Sequence, residues 1–248
     1  MRFLFLIFGK LWWPFRKLFL YRKEGLVLYL GTDTNPPPRA DIILIPHNEP
    51  ITPFVKKCKT THNLFLHCNC NNIPLNDNSI DFIILASALE FCSKPKELLS
   101  ELSRIGKAGY VESASALLDR FYPHPYRVLE VLECKNILLI KNKTAEVQDE
   151  FLSSARLFQT NNYWAFIFKF FPHFFLINYR WENKIHYNYF NSQVSEKKPS
   201  GEMWSKYIVE KDNSTQENKS IKNLILEKLN RYYSRKRLTR IDGLKLRV

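Results

Sequence analysis

The chain has 248 residues, 45% of them apolar, which is enough for one main domain with appendages and a sizeable core. Its five cysteines, at positions 58, 68, 70, 92 and 134, are odd in number and unevenly placed. They exclude a disulfide scaffold and read as reduced thiols of a cytosolic protein. The net charge of +13 sits at the ends: residues 1–25 hold six Lys/Arg and one Glu, residues 218–248 hold ten Lys/Arg and two acids, and the body between holds 21 of each sign. A neutral body with basic ends points to an anionic surface, membrane headgroups before nucleic acid.

Residues 1–23 mix Phe, Leu, Ile and Trp with spaced Lys and Arg. The longest unbroken apolar run, Phe3 to Phe8, is far short of the ~20 residues that span a bilayer. No small-residue cleavage site follows. Lys10, Arg16 and Lys17 with Trp12, Trp13 and Phe15 suit a segment lying in the headgroup plane; a helix packed on the domain is the other reading. Leu26–Leu30 reads as the first core strand, closed by Gly31. Thr32 to Asp41 follows, with Pro36, Pro37 and Pro38 forbidding a regular helix directly after the strand. Ile42–Ile45 reads as a second strand, Pro53 to Lys59 as a short helix, and Leu64–Leu66 as a third strand. Cys58, His62, His67, Cys68 and Cys70 lack the pair spacing of a zinc site, so no metal is expected.

The most informative stretch is Ile73 to Ser113. Ile80 and Phe82–Leu85 form a nearly continuous apolar run, as in a strand buried on both faces. Pro95 sits where a helix can begin, and Leu98, Leu99, Leu102 and Ile105 follow at helical spacing. Gly106 and Gly109 are candidates for a left-handed helix end. Tyr110 and Val111 open the next strand, completing a strand–helix–strand unit. Asp81 reads as a strand anchor. Glu90 faces a site or pairs with Arg104, with a structural role favoured for both acids.

Ala114–Phe121 looks helical, and Tyr122–Tyr126 is a rigid aromatic loop carrying His124. Arg127–Leu132 and Ile137–Ile140 read as a hairpin turning at Cys134–Asn136. Tyr163 to Trp181 is aromatic but interrupted by Lys169, Pro172, His173 and Arg180, so it makes a poor spanning helix. It reads as a helical hairpin over the sheet, a membrane-contacting patch or a lid. Tyr187, Tyr189 and Phe190 then suggest a strand. Residues 192–219 are a polar linker. Ile221, Leu224, Ile225, Leu229 and Tyr232 mark a basic amphipathic helix suited to a membrane or a partner groove, or else solvated.

Pro74, the Asp77-Asn78-Ser79-Ile80-Asp81 element and Leu89-Glu90 occur in the order found in class I S-adenosylmethionine-dependent methyltransferases of the type 11 kind. The chain resembles that family over roughly Leu26 to Lys141. The resemblance implies a doubly wound, Rossmann-like, mostly parallel α/β sheet with helices on both faces. To this the chain adds an aromatic C-terminal annex and basic terminal segments. The implied organisation is a basic segment at 1–24, a core at 25–145, an annex at 146–191, a linker at 192–219 and a basic helix and tail at 220–248.

S-adenosylmethionine is the implied cofactor, with Gly31, Thr32, Asp33, Asn69, Cys70 and Ala86 as its binding set. Gly31, Asn35 and Pro36 match a Gly-x-Gly-x-Asn-Pro version of the family's loop, but Asp33 stands where the second glycine would be. Such a side chain narrows the backbone's approach to the cofactor. The acidic residue that holds the ribose in the family falls at Ile45 or Pro46, with Glu49 the nearest substitute. The catalytic residue is unknown, with His124 the candidate and a plain surface histidine its alternative. The expected protein is a methyltransferase on an unidentified acceptor, cytoplasmic and peripheral to an anionic membrane through residues 1–23 and 220–248. An inactive scaffold of the same fold is the alternative. Nucleic acid is not an expected partner: Asn35-Pro36-Pro37-Pro38 follows the first strand, not the fourth, and no base-flipping motif is present.

Overall fold

The computed structural model describes residues 25–31, 36–37, 39–46, 64–121, 127–143 and 175–190. Its centre is a six-stranded sheet in the order β3-β2-β1-β4-β5-β8. The members are β1 (Val27–Gly31), β2 (Ile42–Pro46), β3 (Leu64–Cys68), β4 (Phe82–Ala86), β5 (Ala108–Ala114) and β8 (Leu176–Glu182). The first five run parallel, and β8 pairs antiparallel with β5. The apolar runs of β1, β2 and β4 are explained by burial on both faces. Leu28, Leu30, Ile83, Leu85 and Val111 join the core on one face, and Val27, Tyr29, Ile43, Ile45, Ile84 and Tyr110 on the other. This is the doubly wound, mostly parallel sheet expected from the sequence.

Helix α1 (Pro95–Ile105) begins at its proline and lays Leu98, Leu99, Leu102 and Ile105 on the first of these faces. Its polar side anchors the loop after β3. Arg104 donates to the carbonyls of Ile73 and Leu75 at 2.8 Å each and pairs with Asp77 and Glu101, while Glu101 accepts from the Ile73 amide at 2.8 Å. The sequence offered Glu90 as a partner of Arg104, and the structure instead gives Arg104 to Glu101 and Asp77. Asp81 does anchor the sheet, accepting from the Leu26 amide at 2.8 Å and from Lys107 at 2.7 Å.

Gly106 and Gly109 are not left-handed: among the described residues the one glycine with positive φ is Gly25, and Gly106 is extended at φ −110°. Their requirement is space. A Cβ on Gly109 would lie 2.6 Å from the Trp181 indole and 2.7 Å from the Ile83 carbonyl, and one on Gly106 would lie 2.9 Å from Ile83 Cγ1 and 3.0 Å from Trp181. Trp181 belongs to β8. Residues 176–182, which the sequence assigned to an aromatic annex, therefore form the sixth strand of the core sheet.

A second sheet, ordered β6-β7-β9, comprises β6 (Leu129–Cys134), β7 (Ile137–Asn142) and β9 (Tyr187–Phe190). Lys135 and Asn136, both with positive φ, make the tight two-residue turn between β6 and β7. Leu129, Val131, Leu138 and Ile140 face the same core as α1. Helix α2 (Ala116–Phe121) precedes this sheet.

Candidate functional site

From β1 the strand order runs outward to β2 and β3 on one side and to β4 and β5 on the other. A sheet wound this way opens a crevice at the carboxyl ends of its two innermost strands, β1 and β4. There Gly31 is in register with Ala86, and Ala86 with Glu112 on β5. Two small residues side by side leave the strand ends low.

On the flank where a Cβ would project from Gly31, the space is taken by the Tyr29 hydroxyl, and the Ala86 carbonyl oxygen lies 2.8 Å from that position. Tyr29 lies along its own strand, two residues back, so glycine is required at 31. Ser87, the first residue beyond β4, has φ 50° and donates its amide to the Glu112 carbonyl at 2.7 Å. The Glu112 side chain is buried and accepts from the Tyr110 hydroxyl at 3.0 Å; that hydroxyl also meets Asn178 of β8.

Next to the crevice is a buried polar group. Leu89–Phe91 is one turn of 3-10 helix, and Glu90 on it is 2% exposed. Its carboxylate accepts from Ser113 Oγ at 2.8 Å and the Ala114 amide at 3.3 Å, and its carbonyl accepts from Val128 at 2.9 Å. Burial raises the Glu90 carboxyl above its ordinary range, against the opposing pull of Arg127 and these hydrogen bonds. Asp119 of α2 joins Arg127, which leads into β6, at 3.2 Å, and Lys143, which follows β7. Burial lowers the Lys143 ammonium to about 8, with the Glu90 charge opposing. Asp119 thus ties both ends of the β6–β7 hairpin to the carboxyl side of the main sheet.

Of the residues predicted from the sequence, Gly31 and Ala86 adjoin at the crevice. Asn69 and Cys70 follow β3, two strands from β1. Asn69 is exposed, and its side-chain oxygen accepts from the Asn71 amide at 3.0 Å, which stabilises the turn and leaves a second lone pair. Cys70 is half-buried; burial foremost, with Cys68 and Cys92 adding to it, pushes its thiol up to about 12, and burial takes Cys68 and Cys92 to about 11. Protonated thiols are poor nucleophiles and poor metal ligands, and among the described residues no group of side chains could hold a metal. Ile45 is buried and Pro46 ends β2, so neither offers a carboxylate for a ribose. Thr32, Asp33, Glu49 and His124 lie outside the described residues, as do residues 1–24 and 191–248. Ser87, Glu112, Tyr29, Asp119 and Lys143 escaped the sequence reading. A lone acid in the otherwise apolar-and-small strand Ala108–Ala114 was the one available signal.

At β1 and β4 the edge of the crevice is made of the two smallest side chains, a half-buried Gly31 and a buried Ala86, which suits a ligand lying close to the backbone. It departs from the family at β2, where the ribose carboxylate is replaced. A family model described as a methyltransferase domain, type 11, matches residues 38–111. With the strand order, this match supports a class I methyltransferase fold for the core, a family whose cofactor is S-adenosylmethionine. Solved structures similar to the chain include the following three. A Thermotoga maritima S-adenosylmethionine-dependent methyltransferase, described as a possible histamine N-methyltransferase, is 22% identical over 46% of this chain and 55% of its own length, with a TM-score of 0.33. An Aquifex aeolicus S-adenosylmethionine-dependent methyltransferase is 20% identical over 44% and 68%, TM-score 0.33. The putative methyltransferase of a Haloferax volcanii methyltransferase–activator complex is 13% identical over 71% and 91%, TM-score 0.42. The chain thus spans little more than half of the first of these proteins. Curated protein sequences give no match. Among the described residues, no helix is long and apolar enough to cross a membrane.

Proposed function

We propose that this protein is an S-adenosylmethionine-dependent methyltransferase working at an anionic membrane surface on an acceptor held near that surface. The observation that carries the reading is the Gly31–Ala86 pair at the switch in strand order, within a core of the methyltransferase family. Bound there, S-adenosylmethionine supplies a methyl group already activated on a sulfonium. The protein's own part is alignment and exclusion of water. Gly31 and Ala86 let the ligand approach the backbone, and Asn69 keeps a lone pair for an adenine amino group. Glu112, oriented by Tyr110, presents a buried carboxylate one strand beyond Ala86. The membrane part rests on charge: the basic ends flank a body holding equal numbers of acids and bases, so attraction to anionic headgroups acts at the ends. A cytoplasmic location accords with the free thiols.

A second reading, a scaffold that keeps the fold without the chemistry, is favoured by Ile45 and Pro46 at the ribose position and by Tyr29 against Gly31. Calorimetric titration of the full chain with S-adenosylmethionine separates the two. Saturable binding supports the enzyme, and a flat titration at millimolar ligand with folded protein supports the scaffold. Flotation with phosphatidylserine-containing and phosphatidylcholine-only vesicles tests the surface: binding indifferent to lipid charge removes the electrostatic anchor.

A further inference from the structure

Strand β7 is apolar on both of its faces. Ile137, Leu138, Leu139 and Ile140 form an unbroken run, the pattern of a strand covered on both sides. Leu138 and Ile140 join the core with Val131 of β6, and Tyr187 and Tyr189 of β9 pack against it. Strand alternation sends Ile137 and Leu139 the other way. The register carries that outward face across all three strands: Leu132 stands opposite Leu139, and Lys141 lies between Glu130 on β6 and Phe190 on β9. Leu132 is 47% exposed and Phe190 53%, while Ile137 and Leu139 are half-buried. These four are direct or diagonal neighbours on one open surface. A sheet with one wet face ordinarily turns polar residues outward, so an apolar group of this kind marks a surface that meets something.

The make-up of the face indicates what it meets. Lys141 is exposed beside Phe190, and Lys135 is exposed at the hairpin turn. A dry protein cover would strip water from such ammonium groups. A lipid interface takes apolar side chains into the acyl boundary and leaves the ammonium among the headgroups. The chain that leaves this face after Phe190 also carries the basic segment at 218–248, ten Lys/Arg against two acids. The base of the hairpin is fastened on the side of the main sheet where the crevice opens. The Val128 amide donates to the Glu90 carbonyl at 2.9 Å, the Lys143 amide donates to the Val128 carbonyl at 3.0 Å, and Asp119 holds Arg127 and Lys143.

We propose that the outward face of the β6-β7-β9 sheet is the lipid-contacting surface of this protein. Leu132, Ile137, Leu139 and Phe190 enter the headgroup–acyl boundary of an anionic membrane, and Lys141 stays at headgroup level. This deepens the membrane reading above and rests on it: charge brings the protein to the surface, and this face seats it there.

The test compares the full chain with its Leu132→Thr/Phe190→Thr double variant. Threonine keeps the preference for a strand, adds no charge and removes the two most exposed apolar side chains of the face. Flotation with phosphatidylserine–phosphatidylcholine vesicles over a range of lipid concentrations reads the affinity, and both proteins are melted without lipid. The variant is expected to bind about 10- to 100-fold more weakly and to melt within about 2 °C of the parent. If the parent binds and the variant binds as tightly, the basic ends anchor alone: the face is wrongly assigned while the proposed function stands. If the folded parent floats with no vesicle, the membrane reading fails and the face with it. If the variant melts lower by more than about 2 °C, or the parent runs as a dimer that the variant breaks, the face is covered by the chain itself or by a second copy, and the proposal is overturned.

Discussion

Gly109→Ala is the sharpest test of how the sheet is closed. At an extended position with room to spare, glycine to alanine stabilises by about 0.4–1 kcal/mol through the unfolded chain. Room is what Gly109 lacks. The new methyl would meet the Trp181 indole at 2.6 Å and the Ile83 backbone carbonyl at 2.7 Å. The carbonyl is fixed by pairing of β4 with β5, in which Ile83 stands opposite Gly109. The indole is buried, 4% exposed, so it cannot simply turn out into solvent. Overpacking of this kind costs about 1–3 kcal/mol, or a Tm loss of about 2–12 °C for a chain of this size. Urea unfolding followed by tryptophan fluorescence reads the change as a lower midpoint at constant slope. Gly106→Ala should cost less, since its closest obstacle is the flexible tip of Ile83. A Gly109→Ala protein as stable as the parent would refute the assignment of β8 and Trp181 to this sheet.

Arg104→Ala removes hydrogen bonds to two carbonyls and leaves Glu101 and Asp77 without their cation, for an expected loss of about 2–4 kcal/mol in urea unfolding, whereas Lys94→Ala, at an exposed pair, should change stability by less than about 0.5 kcal/mol. Glu90→Gln tests the buried carboxyl. Because its folded value is raised, the folded chain holds the proton longer than the unfolded one, so its contribution is complete below the ordinary glutamate range and fades as pH rises through the folded value. Melting the parent and Glu90→Gln in parallel from pH 4 to 8 should show the parent losing ground to the variant; equal slopes would count against a proton held there. With thiols pushed up to about 11 and 12, Cys68, Cys70 and Cys92 should resist iodoacetamide at pH 8 in the folded chain while exposed Cys134 reacts, as peptide mass spectrometry would show.

The parallel core was legible because burial on both faces writes itself as unbroken apolar residues: Phe82–Leu85, Ile42–Ile45 and Val27–Leu30 each read as a strand. The α1 start was legible through Pro95, and the β6–β7 turn through Lys135 and Asn136. β8 was not. Leu176–Glu182 alternates Ile177, Tyr179 and Trp181 inward with polar residues outward, but it lies within a long aromatic stretch whose richness masks the alternation. Gly106 and Gly109 were visible, but the reason for them was long-range, an indole more than 70 residues downstream, and no local rule supplies that. At the site, the resemblance brought Gly31 and Ala86 to one edge. Ser87 stayed hidden because a backbone dihedral leaves no trace in residue type when the residue is not glycine or asparagine.

The placement of β8 has a consequence for the order in which the chain can be completed. β5 ends at Ala114 and its outer neighbour begins at Leu176, about 60 residues later. During synthesis the five parallel strands are available well before that neighbour arrives, and until then β5 offers a bare row of amides and carbonyls. Exposed borders of this kind recruit strands from other chains. A shortened chain ending before residue 176 should therefore self-associate, while one reaching residue 190 carries its own seal.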